Sequence, residues 1–367
     1  MAMQTRNSKY WEKRMLYVEN KLNNNTNKTV EEIKKLNKNL QMRLNKDITY
    51  WLNKFAVNNE VFTYQDAKRL LNSEELEEFK MTVKDYIRMG TENAVGYDWD
   101  KQLTNMSARV HISRLEALQV AIRQHAELFI AAEHSLIEER IIENLQESYY
   151  RHTYELFQGL NIKADLYKLD TNLVKTLINK PWTADGVEFS ERIWGKYRAE
   201  LVDYLDTNLK QNLILGKNPK TLVTDLSDKF GVKKSHAENL LRTETAHFQQ
   251  KAQEMCFKKL EVEKYQIIAT LDHRTSTICR RMDLKVFDEK DRKIGVNAPP
   301  FHCRCRTTTA PYLDDVEDVG RMMRDAKGKS VYVEKLKYED WYKKYVETDE
   351  ELLKVHKKNR SFKNRKG

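Results

Sequence analysis

The first 180 residues contain no proline and almost no glycine. Proline removes a backbone donor and clashes with the preceding turn, and glycine weakens a helix through its conformational freedom. A stretch without them is free to run in long helices. Shorter helices are expected at about 8–57, 63–90 and 164–179. Between them a longer one is expected, with Ser107 as N-cap and Gly159 at its end or in the turn beyond. Its apolar face runs through Leu115, Leu118, Ile122, Phe129, Ile130 and Ile137, at the 3.6-residue period of one buried stripe. Pro181 and Gly186 then interrupt the pattern, and a further helix is expected from Phe189 to Leu215, with Gly216 as its C-cap.

After Asn218–Pro219 the texture changes. The run TLVTDLSDKFGVKKSHAENLLRTETAHF reads as two short helices joined at Gly231 and then a longer one. Its likeness to a helix-turn-helix is outweighed by the commonness of glycine-linked helical pairs as packing units. From Lys264 the β-branched content of YQIIATLD, KVFD and TTTAPY predicts three short strands, and Pro299, Pro300 and Pro311 crowd the same region. A helix rich in Tyr and Lys is expected at 331–355. The last residues, KVHKKNRSFKNRKG, are basic without an acidic residue. A solvated tail and a nucleic-acid contact are both open readings of that run. The fold class is thus a mainly α N-terminal body with a small α+β C-terminal module. The expected divisions are a helical body at 1–218, an α+β module at 219–315, and a helical, basic C-terminal tail at 316–367.

No apolar run approaches the roughly 20 residues needed to cross a bilayer, and no apolar segment follows the basic start MAMQTRNSKYWEKR. Neither a membrane anchor nor a secretory leader is expected, so the chain should stay in the compartment where it is made. Without secretion, the four cysteines (Cys256, Cys279, Cys303 and Cys305) point to free thiols or a metal rather than a disulfide framework. The formal charge of +10 favours a polyanionic partner, because neutralising phosphates releases counterions. With 65 basic and 55 acidic residues, much of the charge is simply mixed helix surface.

The densest constellation is LDHRTSTICRRMDLKVFDEKDRKIGVNAPPFHCRCRTTTAPY, residues 271–312. It places Asp272, His273, Cys279, His302, Cys303 and Cys305 on turns between short strands. Thiolate and imidazole donors on loops suit a structural zinc ion, which wants four soft or borderline ligands in a tetrahedron, and such an ion would hold a small module together. Cys279, His302 and Cys305 are the candidate ligands. Ser276 occupies the first position of a C-x-x-C spacing and is a poor zinc ligand. The alternative is a packed loop of reduced cysteines with His302 hydrogen-bonded to backbone. Asp272, His273 and His302 would be the start of a metal-dependent hydrolase site, but no second carboxylate set accompanies them, and no catalytic or cofactor-binding residue is expected. Glu138, Glu139 and Glu143, near Arg140, read as a solvated helix face, and Trp182 and Trp194 as core or interface anchors.

The block resembles the signature of the phage head morphogenesis family, the Mu-type minor head proteins. Members carry roughly D-x-R-T-[CS]-x-x-C, an aromatic-bearing strand, and P-P-x-H-x-x-C-R-[CST]-T. Here these positions are Asp272, Arg274, Thr275, Ser276 and Cys279, then Phe287, then Pro299, Pro300, His302, Cys305, Arg306 and Thr308. The R-T-E-T of the preceding helix falls on Arg242 to Thr245, which suggests that Arg242 and Glu244 hold the module to the helical body. Two departures stand out: Ser276 replaces a cysteine, and Leu284–Lys285 stands where a glycine often follows Asp. The resemblance covers about residues 190 to 312. It implies a virion protein of the procapsid interior, assembled in the host cytoplasm. Its partners would be the portal protein and other capsid or scaffolding proteins, and it would touch phage DNA non-specifically during packaging or ejection. The rival reading is a non-specific DNA-binding protein outside any capsid. Arg274, Arg304 and Arg306 have the forked donors for phosphate or carboxylate.

Overall fold

A computed structural model describes residues 8–55, 63–160, 169–183, 185–215, 221–312, 321–324, 330–333, 338–351 and 353–354. The elements run α1 (Ser8–Phe55), α2 (Tyr64–Lys68), α3 (Ser73–Glu92), α4 (Tyr97–Ala108), α5 (Arg114–Leu160), α6 (Thr171–Ile178) and α7 (Phe189–Glu191). A π-helical turn at Arg192–Tyr197 leads into α8 (Arg198–Ile214) and α9 (Thr221–Lys259). Then come β1 (Lys264–Ile268), α10 (Thr277–Met282), β2 (Val286–Asp288), β3 (Thr308–Pro311), β4 (Arg321–Arg324), β5 (Ser330–Val333) and α11 (Tyr338–Trp341). The chain is mainly α with a small antiparallel sheet towards its C-terminus. Among the described residues no helix is long and apolar enough to cross a membrane.

Several boundaries differ from the sequence expectation. The long helix α5 is capped by Ser113, not by Ser107, which lies inside α4. Ser113 Oγ accepts from the Glu116 backbone N–H (3.3 Å) while the Glu116 carboxylate accepts from the Ser113 N–H (2.8 Å), a reciprocal capping box. The helix expected at 63–90 is two helices, because Asn72 forms a second capping box with Glu75 and starts α3 afresh. Residues 221–259 form one helix rather than a pair, with Gly231 in its interior. A single interior glycine costs only about 1 kcal/mol relative to alanine, which a 39-residue helix can carry. Residues 331–333, expected as helix, pair as strand β5 with β4, in keeping with the Val-Tyr-Val content of that segment. Residues 161–168, Gly216 and residues 355–367 of the basic tail lie outside the described residues.

The chain forms two compact units. One comprises residues 28–139 and 179–238. Its core holds Trp51, Phe55, Phe79, Trp99, Ile122 and Phe129 from α1, α3, α4 and α5, with Leu201, Leu205 and Leu209 of α8 also buried. A polar relay crosses this core: the Trp99 indole donates to Gln124 (2.6 Å), which donates on to the Tyr86 carbonyl (3.1 Å). Arg198 of α8 grips the buried Glu127 of α5 with two donors, at 2.5 and 2.7 Å.

The other unit comprises residues 1–27, 140–178 and 239–367. Three helical segments pack in it, burying Trp11, Met15, Val18 and Leu22 of α1, Ile141, Leu145 and Leu156 of α5, and Leu241, Phe248 and Phe257 of α9. Gly159 is not a turn but a close approach: a Cβ there would come within 2.8 Å of the Tyr10 ring and nearer still to the buried Trp11 indole. Asn144 donates to Thr26 (2.9 Å), and Ser148 donates to the Gln249 carbonyl (3.1 Å), which ties the three segments together. The sheet has the order β2-β1-β3, both pairings antiparallel. Helix α9 lies against β3, where the Gln253 amide donates to the Thr309 carbonyl (2.8 Å) and the Gln250 amide to the Thr308 hydroxyl (3.3 Å). All three strands predicted from the sequence are present.

Candidate metal centre

The two halves of the 271–312 block meet at their motif residues. Leaving β1, the chain turns at Asp272, whose carboxylate accepts from the Arg274 backbone N–H (2.9 Å) and from the Thr275 hydroxyl (3.1 Å). That local bonding is the usual way an Asp fixes a turn. Ser276 then caps α10, its hydroxyl accepting from the Cys279 N–H (3.3 Å), so Cys279 points back from the first turn of the helix.

The second half approaches from the opposite side. A cis Pro299–Pro300 bond precedes it, and Arg304 at φ 58° bends the chain so that Cys305 is buried while Cys303 is exposed. Arg306 closes the junction with two donors to Asp272, at 2.6 and 2.8 Å, and its carbonyl accepts from the Thr270 hydroxyl (3.0 Å). Burial alone would push the Asp272 carboxyl up, but the Arg306 fork and the nearby Arg274 more than offset it and hold it down at about 2. Asp272 is therefore an ionised structural anchor, with both oxygens bonded to Arg306.

Within this frame Cys279, His302 and Cys305 converge, their ligand atoms all within 4.8 Å of one another. The Cys279 and Cys305 sulfurs lie 3.7 Å apart, and the His302 Nε2 is 3.1 Å from the Cys279 sulfur and 2.8 Å from the Ser276 hydroxyl. His302 Nδ1 faces the Cys303 carbonyl at 2.8 Å. A carbonyl only accepts, so Nδ1 carries the proton and Nε2 presents its lone pair to the sulfurs. The two thiols are coupled. Hydrogen bonding to Cys305, helped by Ser276, draws Cys279 below the ordinary thiol range, while the same pairing and burial push Cys305 above it. A recess lined by Thr270, Ser276, Cys279, His302 and Arg306 opens at these atoms, with Arg274 and Arg304 at its margin.

Of the residues singled out in the sequence, Cys279, His302 and Cys305 come together, and Asp272 and Arg306 lock the frame around them. His273 and Cys303 are not members of the cluster. Arg274 contributes its backbone and keeps an exposed side chain. Arg242 and Glu244 lie on the α9 turn that faces this loop, and there the Thr243 hydroxyl accepts from the Arg304 N–H (3.2 Å). Sequence reasoning passed over Thr243, Gln250 and Gln253, whose only signal is their spacing along one face of α9. It also passed over Glu19, a buried α1 carboxyl pushed up to about 7 by burial, in part offset by a hydrogen bond from Asn23, with Cys305 and Arg306 in its electrostatic neighbourhood.

Residues 203–310 match the family described as phage Mu protein F like protein. The matched stretch runs from within α8 through α9 and the three-stranded sheet, and so contains the whole junction described above. Over this stretch the chain is similar to the Mu-type phage head morphogenesis family. No curated protein and no solved structure matches it. That similarity points to a protein related to the phage head.

Proposed function

We propose that this protein is a minor head protein that docks on the portal, takes part in head assembly, and touches packaged DNA through its phosphates. The match over residues 203–310 carries the reading. The charge of +10 supports the contact with DNA, since Lys and Arg that neutralise phosphates bind without reading sequence. Arg274 and Arg304 are exposed at the recess and carry the forked donors that phosphate contacts use. Long amphipathic helices give the surfaces on which virion proteins can dock. The motif residues act in this reading as architecture: they fix the shape of the module that partners meet, and no step of a reaction is assigned to them.

The test is to mix the purified full-length chain with its cognate portal protein and run the mixture on a sizing column, alongside duplex DNA titrations at several salt concentrations. Co-elution with the portal is expected. DNA binding should be independent of sequence and weaken with salt, by a slope of about 0.9 for each phosphate neutralised. A chain that ignores portal and capsid proteins yet binds DNA tightly would overturn the head reading in favour of a free-standing DNA-binding protein.

A further inference from the structure

Strand β1 of the sheet module buries Tyr265, Ile267 and Ile268. The loop junction beside it packs differently: its buried cluster is Ala269, Cys279 and Cys305, flanked by Ile278 and Phe301. Two sulfurs, with a half-buried imidazole nitrogen against one of them, thus occupy a place where aliphatic side chains would ordinarily pack. A junction with so little apolar area gains from another source of stability, and a bound metal is one of the common ones.

We propose that Cys279 Sγ, Cys305 Sγ and His302 Nε2 bind one structural zinc ion, with a neutral oxygen on the Ser276 side in the fourth position. The geometry agrees with the ion. Zinc–sulfur bonds of about 2.3 Å in a tetrahedron put two sulfurs about 3.8 Å apart, and here they are 3.7 Å apart. The imidazole presents the unprotonated Nε2 inward, and its Nδ1–H is held by the Cys303 carbonyl, the outer hydrogen bond that zinc-bound histidines usually make. The Ser276 hydroxyl lies 2.8 Å from Nε2, so an oxygen stands beside the ligand atoms within reach of the fourth position. It reaches the ion directly or through a water; either way the fourth donor is neutral and hard, so affinity should fall short of a site with three thiolates. On binding, both thiols lose their protons to solvent, and the site of two thiolates, one imidazole and Zn²⁺ is electrically neutral. Neutrality suits a buried position beside the Asp272–Arg306 pair, which is already balanced.

The experiment uses the full chain, reduced and stripped of metal, titrated with Co²⁺ and separately with Zn²⁺. The expected result is one equivalent of either metal per chain, with the intense visible bands of tetrahedral cobalt and near-ultraviolet sulfur-to-cobalt charge transfer. Zinc should also raise the melting temperature. Cys279→Ser and Cys305→Ser should lose the charge-transfer band, whereas Cys303→Ser, altering an exposed thiol, should keep it. Ser276→Cys should strengthen that band and shift a chelator competition towards tighter zinc. Octahedral or substoichiometric cobalt in the folded wild-type chain would overturn the proposal, as would a Cys279–Cys305 disulfide in protein purified under reductant. Ser276→Cys failing to tighten zinc would overturn the assignment of the fourth position.

Discussion

In the helical segments of residues 8–27, 140–160 and 239–259, buried Trp, Met, Leu, Ile and Phe side chains recur turn after turn, interleaved with buried polar ones such as Asn144, Ser148, His152, Gln249 and Gln253. In the sheet module at 264–312, β1 buries Tyr265, Ile267 and Ile268, while the segments around it bury Asp272, Thr275, Asp283, Glu289 and Thr307 together with a small cluster of Ala269, Cys279 and Cys305. The helical segments are thus held largely by area and shape, to which many residues contribute comparable amounts. The module is held by particular pairs: Asp272 with Arg306, Glu289 with Arg292, Asp283 with the Ala269 N–H. Redundant apolar packing tolerates exchange of one hydrophobic residue for another, whereas a pairing has no substitute. That contrast fits the density of motif residues in the module, while the helices carry mainly a period, apart from the R-T-E-T at Arg242 to Thr245 of α9.

The contrast predicts its largest effect at Arg306. Arg306→Met keeps much of the side chain's volume but leaves Asp272, 4% exposed, ionised and unpaired. Breaking a buried pair from one side costs about 3–5 kcal/mol. A denaturant titration of the metal-free chain should show that loss, and the double variant Asp272→Ala/Arg306→Met should recover part of it because no charge is then stranded. A loss under about 1 kcal/mol, the range of exposed pairs, would mean that the module does not rest on this pair and the comparison fails.

The matching test of the helical segments is Gly159→Ala. Alanine is the better helix former, so propensity alone predicts stabilisation. Shape predicts the opposite, since the new Cβ would collide with the Trp11 indole, which is fully buried and has nowhere to move. Overpacking of this kind typically costs about 1–3 kcal/mol. Thermal unfolding followed by circular dichroism decides the sign; a rise in Tm would show that α1 and α5 can separate at little cost.

The same contrast governs what the sequence disclosed. The three strands were readable because β-branched residues cluster in them, and the buried stripe of α5 was readable at Leu118, Ile122, Phe129, Ile130 and Ile137 because its period is regular. The start of α5 was also written in the chain, as Ser113-x-x-Glu116, but Ser107 offered a competing cap, and only tertiary pairing of residues 69–71 with 112–114 decides between them. Gly231 misled because glycine signals backbone freedom, and Gly159 does stand at the end of α5 as expected, but its use there is the absence of a Cβ. At the candidate metal centre the three side chains that converge, Cys279, His302 and Cys305, were legible by residue type. The Asp272–Arg306 clamp and the hydrogen bond from the Arg304 N–H to Thr243 were not, since both join positions far apart in the chain.

The smallest expected effect sharpens the account of the module's backbone. Leu284 adopts φ 60°, the left-handed region, where the chain leaves α10 and enters β2. The turn is worth its strain: it lets the Leu284 N–H donate to the Ile267 carbonyl (2.9 Å) and the Ile267 N–H donate to the Lys285 carbonyl (2.9 Å), which sets the β1–β2 register. A branched L-residue pays about 1–2 kcal/mol for this conformation, and glycine pays almost none. Leu284→Gly should relieve that strain and give up the packing of a half-buried side chain, while the freer unfolded chain works against it. The net expectation is a gain of up to about 1 kcal/mol, read as a small rise in Tm at unchanged sheet content. If stability falls instead, the Leu284 side chain contributes more by packing than its backbone loses, and the module would depend on apolar contact at this position much as the helices do.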